Sequence, residues 1–224
     1  MGIKIYTYSN PYEIDRESFW NEIKDCAHFC VSQTMVNGMN QTYPLLKMRQ
    51  ATATVRSLVN ALYEDWESIN TNVRQIMEVD NAISKLNYQT SCLENVKRSL
   101  LFNTRTIASC IRMFKELGLN SNLMVKDKLN MDQQYLVELY KIIDNNENSS
   151  FSFSQDLSQE NIEKAIDNAL IYHKKDVDLN VIDRNRIIIH GVHQFTPAML
   201  AAIEEISKYK EVILLFNYQK QYSS

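Results

Sequence analysis

Strand-like patterns sit at the two ends of this chain, and helix-like patterns fill its middle. Ile3–Tyr8 is β-branched and aromatic and predicts a short strand. A turn at Asn10-Pro11 leads into a helix with Asp15 as its N-cap and Phe19, Trp20 and Ile23 inside it. The run HFCVSQTMV predicts a second strand, stopped by a turn at Asn37-Gly38. Near the other end, Ile187–His190 predicts a buried strand. Pro197 to about Tyr209 predicts a helix with Met199, Leu200, Ile203 and Ile206 on its apolar face, and Val212–Phe216 a last strand. Strand–helix–strand units of this kind imply parallel pairing with right-handed crossovers.

Between Pro44 and Gly118 there is neither proline nor glycine. Val55, Val59, Leu62, Trp66, Ile69, Val73, Ile76 and Ile83 follow a heptad spacing broken only at Asp80. After the polar break NYQTS, a second stripe runs through Leu93, Val96, Leu100, Ile107, Ile111 and Phe114, with Gly118 placed as its C′ residue. Two long helices joined by a short break predict an antiparallel hairpin. A further helix is expected from about Asn130 to Ile143, a polar linker over DNNENSSFSFSQDLSQ, and a helix capped by Ser158. The expected fold is therefore α/β: a small parallel sheet from the N- and C-terminal strands, with a large α-helical insertion. Residues 1–45 and 155–224 form its core and 46–145 the insertion. Because the sheet pattern stops just beyond a buried strand, the chain is expected to be a portion of something larger.

Composition narrows the chemistry. A net charge of −3 gives no global basic field for nucleic acid. Four glycines are too few for a phosphate-cradling loop, and neither GxxxxGK[ST] nor GxGxxG occurs. GxSxG and HExxH are also absent. No apolar run reaches the ~20 residues of a membrane span, and the N-terminus lacks the pattern of a signal peptide. Cys26, Cys30, Cys92 and Cys110 read as reduced thiols, so a cytoplasmic protein is expected.

Four places could carry chemistry. Arg186–Pro197, RIIIHGVHQFTP, is a strand, a loop and a Thr196-Pro197 helix start, at the strand end where open α/β sheets bind ligands. The alternative is a plain connection. His190 and His193 could share a metal but lack a third ligand in the loop. Cys26, His28 and Cys30 alternate as zinc ligands might, yet a regular strand keeps such side chains too far apart to converge, and buried packing is the simpler reading. Arg98, Arg105 and Arg112 recur every seventh residue and form a column on one helix, with Lys97, Lys115, Lys126 and Lys128 nearby. The column could track phosphates, or pair with Glu64, Glu67 and Glu78 as a solvated flank.

From Arg186 to Gln219 the sequence resembles the N-terminal helicase-like domain of AddB/RexB-type subunits of bacterial ATP-dependent nucleases, relatives of UvrD-like superfamily 1 helicases. That family has an Asp-Gly-Phe-x-x-Phe-Thr-Pro type of segment where active helicases carry motif II. Gly191, Phe195, Thr196 and Pro197 match it, His190 replaces the aspartate and Val192 the phenylalanine. The resemblance implies a helicase-like lobe whose motif II position lacks the acidic pair that holds Mg²⁺ and orients water. It implies no cofactor and no catalytic or metal-binding residue. The implied partners are DNA, through Arg98, Arg105, Arg112, Gln194 and Thr196, and a larger helicase–nuclease subunit or the rest of the same chain. A protein-docking role for the helical hairpin, without nucleic acid, is the alternative.

Overall fold

A computed structural model describes residues 2–63, 66, 68–86, 93–124, 128–146, 148–152, 157–171 and 178–218. In chain order the elements are β1 (Ile3–Tyr8), α1 (Trp20–Ile23), β2 (Cys26–Cys30), α2 (Gln33–Thr42), α3 (Pro44–Arg49), β3 (Thr52–Thr54) and α4 (Val55–Leu62). There follow α5 (Ile69–Lys85), α6 (Leu93–Phe102), α7 (Thr104–Glu116), α8 (Met131–Asp144), α9 (Gln159–Ile171), β4 (Asp183–His190), α10 (Pro197–Ser207) and β5 (Glu211–Asn217). The fold is α/β and rich in helix. All five strands pair in parallel, in the order β1-β5-β4-β2-β3.

The elements fall into two compact units. One holds the sheet with α1 to α4, α9 and almost all of α10; the other holds α5 to α8. The sheet reaches β3, inside the stretch whose spacing predicts only insertion. In the sheet unit, β2 is buried at all five residues and β4 over Ile187–His190, as central parallel strands covered on both faces must be. Ring contacts place α1 on the face of β1 and β2 that carries Tyr6 and His28: Tyr6 stacks on Phe19 at 4.6 Å, and Trp20 lies 6.4 Å from His28. On that face too, Thr52 Oγ1 donates to Asn40 of α2. In the sheet unit, α4 and α9 between β3 and β4, and α10 between β4 and β5, belong to connections that run in the reverse direction along the sheet, and right-handed crossovers place those helices on the other face.

Several local expectations differ from the structure. HFCVSQTMV is not one strand. It ends at Cys30 because Ser32 accepts from the Met35 N–H and starts α2. Asp15 is not an N-cap. It lies in a 3-10 turn, Ile14–Arg16, ahead of the single helical turn of α1. Other signals hold: Ser158 Oγ accepts from Asn161 N–H, and Gly118 has φ +64° after α7; the helix expected from about Asn130 starts there, with a capping box between Asn130 and Gln133.

The heptad seam is not one helix. α4 ends at Leu62 and belongs to the sheet unit, while α5 starts after the Ser68 N-cap in the helical unit. Nor does α5 bury the expected stripe. Its buried face is Thr71, Gln75, Val79, Ala82 and Ile83, whereas Ile69 is 80% exposed and Val73 also lies outside. Gln75 turns inward because it has partners there: its amide donates to the Ser150 carbonyl at 3.0 Å, and its carbonyl accepts from Arg112 Nε at 3.1 Å. Leaving the Ser150 carbonyl or the Arg112 guanidinium without that partner would cost about 1–3 kcal/mol.

The register of α5 makes a direct prediction. Gln75→Ala strands the Ser150 carbonyl and part of the Arg112 guanidinium, and should cost about 2 kcal/mol in urea unfolding. Val73→Ala, on the outer face, should change stability by less than about 0.5 kcal/mol. The heptad arrangement requires the opposite ranking.

Candidate functional site

Strands β2 and β4 are neighbours whose connections leave in opposite directions, β2 toward β3 and β4 toward β5. Their carboxyl ends are therefore the topological switch point, where an open α/β sheet offers a crevice. His190, Gly191, Phe195, Thr196 and Pro197 all lie in the connection leaving β4 at this point.

The ladder continues past the strand ends. Val31 N–H donates to the His190 carbonyl at 3.1 Å, and Gly191 N–H to the Leu215 carbonyl at 3.1 Å. Gly191 has φ +73°, so the chain turns there in a conformation that favours glycine. A Cβ at this position would lie 3.0 Å from Met35 Sδ and 3.3 Å from Val31 Cγ1. Glycine suits the turn, and any larger residue would also have to displace the Met35 and Val31 side chains by a few tenths of an ångström. Thr196 and Pro197 start α10 as their order predicts. Phe195 meets Phe216 edge-on at 6.1 Å, closing the loop onto β5.

His190 is fully buried. Its Nε2 lies 2.8 Å from Nδ1 of His28, which is also fully buried, and His28 Nε2 lies 2.8 Å from the Ile23 carbonyl. The carbonyl can only accept, so His28 carries its proton on Nε2. Its Nδ1 is then an acceptor, and His190 must donate from Nε2. This leaves His190 Nδ1 as a bare lone pair, buried without a hydrogen-bond partner. One carbonyl thereby fixes two tautomers in series. Burial pushes the His28 pKa down to about 4, against the pull of the Ile23 carbonyl. Burial, and then His28 itself, hold His190 well below the ordinary range. Both rings are neutral at pH 7, and the junction offers neither a carboxylate nor a cation.

The turn after β1 is also fixed. Ile14 N–H donates to the Tyr43 hydroxyl at 2.9 Å, and that hydroxyl donates to the Pro11 carbonyl at 3.2 Å. A tyrosine from the α2–α3 corner thus holds the turn. The bond spans 29 residues, and no local signal at Tyr43 announces it.

The other candidates are dispersed. Cys26 and Cys30 are free and buried, and burial pushes both thiols up to about 12. His193 is exposed, unlike His190, so the two imidazoles occupy opposite environments. Among the described residues no group of three His, Cys, Asp or Glu side chains is placed to hold a metal ion. The arginine column is not on one helix. The chain breaks at Asn103, placing Arg98 on α6 and Arg105 and Arg112 on α7. Arg98 and Arg105 are exposed, as is Gln194, whereas Thr196 is half-buried. Arg112 is used internally: it bonds Asn72 and Gln75, and its guanidinium lies 5.4 Å from the centre of the Trp66 ring. Of the acids expected to face the column, Glu78 instead accepts from Asn146 and Ser150. Glu64 and Glu67 lie outside the described residues, as do Cys92 and Lys126.

The histidine pair fixes a pH dependence. Both folded-state pKa values lie below the ordinary value of ~6.5, so the unfolded chain binds more protons between about 4 and about 6.5. This contribution to stability is complete above pH ~6.5 and is lost as pH falls toward 4. The melting temperature should drop between pH 7 and pH 5. The double variant His28→Leu/His190→Leu should flatten that drop, while His28→Leu alone, which strands the Ile23 carbonyl and the His190 Nε2–H, should cost about 2 kcal/mol at pH 7. An equal pH slope in the double variant would place the titration elsewhere.

No protein-family model matches this chain, and no curated protein sequence matches it.

Proposed function

We propose that this chain is a non-catalytic, helicase-like α/β module of a DNA repair, recombination or defence nuclease–helicase system, acting there as a scaffold or DNA-contacting part. The observation that carries this reading is the junction after β4. Its backbone is a strand–turn–helix connection: a buried strand, a glycine at φ +73° and a Thr-Pro helix start. Motif II chemistry needs two carboxylates there. The chain instead has His190, buried and bonded to His28, and Gly191, whose Cα is approached by Met35. A neutral imidazole is a poor ligand for a hard cation, and glycine supplies no base. The turn after β1, where a phosphate loop would follow, is pinned by Tyr43 and carries no lysine. The resemblance over Arg186–Gln219 is the ground for proposing this family, and the departures from it are the ground for proposing a module without ATP hydrolysis.

For DNA contact, Arg98, Arg105 and Gln194 are the exposed candidates, and Arg112 is not, because its guanidinium already serves Gln75 and Asn72. A second reading, docking of a protein partner on the helical unit, is favoured by one observation. Phe102 is 83% exposed beside Leu101 and Met77, which line a shallow groove with Ile76.

Two measurements test the first reading. Fluorescence anisotropy with tailed and single-stranded DNA should show an affinity that falls steeply as salt rises. Arg98→Glu/Arg105→Glu should weaken it by about tenfold or more without changing the melting temperature. Mg²⁺-ATP turnover should stay at background with and without DNA. Absence of binding at low salt rules out DNA contact, and DNA-stimulated turnover rules out a non-catalytic module.

A further inference from the structure

Two flanks of the helical unit leave an apolar groove open. On α5, Ile69, Val73 and Met77 recur at helical spacing on the exposed side. At the α6–α7 break, Leu101 and Phe102 are exposed as well. Arg112, late in α7, bonds Asn72 and Gln75, early in α5, while Arg105, early in α7, borders the same recess as Asp80 and Asn81, late in α5. The two helices are therefore antiparallel, and their flanks enclose a groove in two parts. One, of about 350 Å³, passes Ile69, Val73 and Ser109; the other, of about 450 Å³, passes Met77, Asp80 and Phe102. Ile76 and Arg105 line both parts, which makes them one groove. From Ile69 to Asn81 it follows α5 for about 18 Å, the length of a helix of roughly three turns.

Two charges mark the walls of this groove and say what it accepts. Arg105, on the α7 wall, is exposed, and no carboxylate among the described residues pairs with it. Asp80, on the α5 wall, is also exposed, and no cation among the described residues pairs with it, Arg105 included. Arg112, at the other end, is already committed to Asn72 and Gln75. The groove thus presents an apolar floor with a free cation on one wall and a free anion on the other. A phosphate backbone would bring negative charge past Asp80 and set a hydrated surface against Ile69, Val73 and Phe102, so nucleic acid is a poor occupant. A second copy is poor too, because a symmetric contact sets the same concave surface against itself, and two grooves cannot fill each other.

We infer that the α5–α7 groove docks an amphipathic helix of a protein partner, about three turns long, with an acidic flank that meets Arg105 and a basic flank that meets Asp80. Its apolar face, at i, i+4 and i+7, lies against Ile69, Val73, Ile76 and Phe102. This rests on the reading of the helical unit as a protein-docking surface and names what that surface docks. The apolar floor supplies the affinity. The two wall charges set the register and the choice of partner, because a helix with the wrong sign on either flank opposes like charges.

Three labelled helical peptides that share one leucine face serve as probes: one with Glu on one flank and Lys on the other, one with Lys on both, and one with Glu on both. Anisotropy should show the mixed peptide binding at least about fivefold more tightly than either of the others. Arg105→Glu should reverse its advantage over the all-Lys peptide, and Asp80→Lys its advantage over the all-Glu peptide, with the melting temperature unchanged in both. Phe102→Ala should weaken all three by about tenfold or more. Methyl NMR should show shifts at Ile69, Ile76, Met77 and Leu101 on binding. Equal affinities for the three peptides, with shifts at those methyls, overturn the charge assignment and leave protein docking in place. No shift with any peptide, or binding indifferent to Phe102→Ala, overturns the inference and the docking reading together. Displacement of the bound mixed peptide by a short DNA duplex, or burial of Ile69 and Phe102 by self-association of the chain alone, gives the groove to another occupant and overturns the inference as well.

Discussion

The hydrogen bond between His28 and His190 is the constraint around which the sheet unit is organised. It links β2 to β4 across 162 residues of sequence and is oriented at one end by the Ile23 carbonyl, just before β2. Two imidazoles in a dry core are tolerable only if both are neutral and each proton has an assigned acceptor. The carbonyl makes that assignment for both rings. The remaining lone pair, His190 Nδ1, is the residual cost. Cys30 and Ile188, the register partners of His190 and His28, lie in the same buried stretch, so there is no water to solvate a charge. A carboxylate placed at position 190 would face an apolar surround and a neutral histidine.

The helical unit depends on a second buried polar junction of the same logic. Gln75 sits at its centre, bridging Ser150 and Arg112, and the same guanidinium reaches Asn72 and the Trp66 ring. Lys115 pairs with Asp144, whose other oxygen accepts from Ser121, and so ties α7 to α8. These bonds fix which face of α5 turns inward. As a consequence Ile69, Val73 and Met77 remain outside, and that exposed apolar surface is what makes partner docking a serious second reading.

Local grammar was legible in the sequence where a few adjacent residues decide the outcome. The isoleucine run ending at His190, the Thr-Pro start of α10, the cap at Ser158, and the positive φ at Gly118 all depend on neighbours within a turn. The parallel sheet followed from the strand–helix–strand order. What stayed hidden depends on distant partners. Gln75 looks like a surface residue until Arg112 and Ser150 are placed beside it. Arg112 looks like part of a basic column until Asn103 ends α6. Ser32 looks like a strand residue until its hydroxyl caps α2. At the candidate site His190 stood out at the end of its strand, but its partner His28 read only as one member of a Cys-His-Cys alternation. Spacing within β2 carries no information about β4.

The central claim is that the β2–β4 junction holds a neutral, tautomer-fixed histidine pair. Imidazole ¹⁵N NMR over pH measures this directly. The account predicts that His28 and His190 both carry a single proton on Nε2, and that neither titrates as pH falls from 7 to about 5. A proton on Nδ1 of either buried ring, or titration of either near pH 6.5, would contradict it.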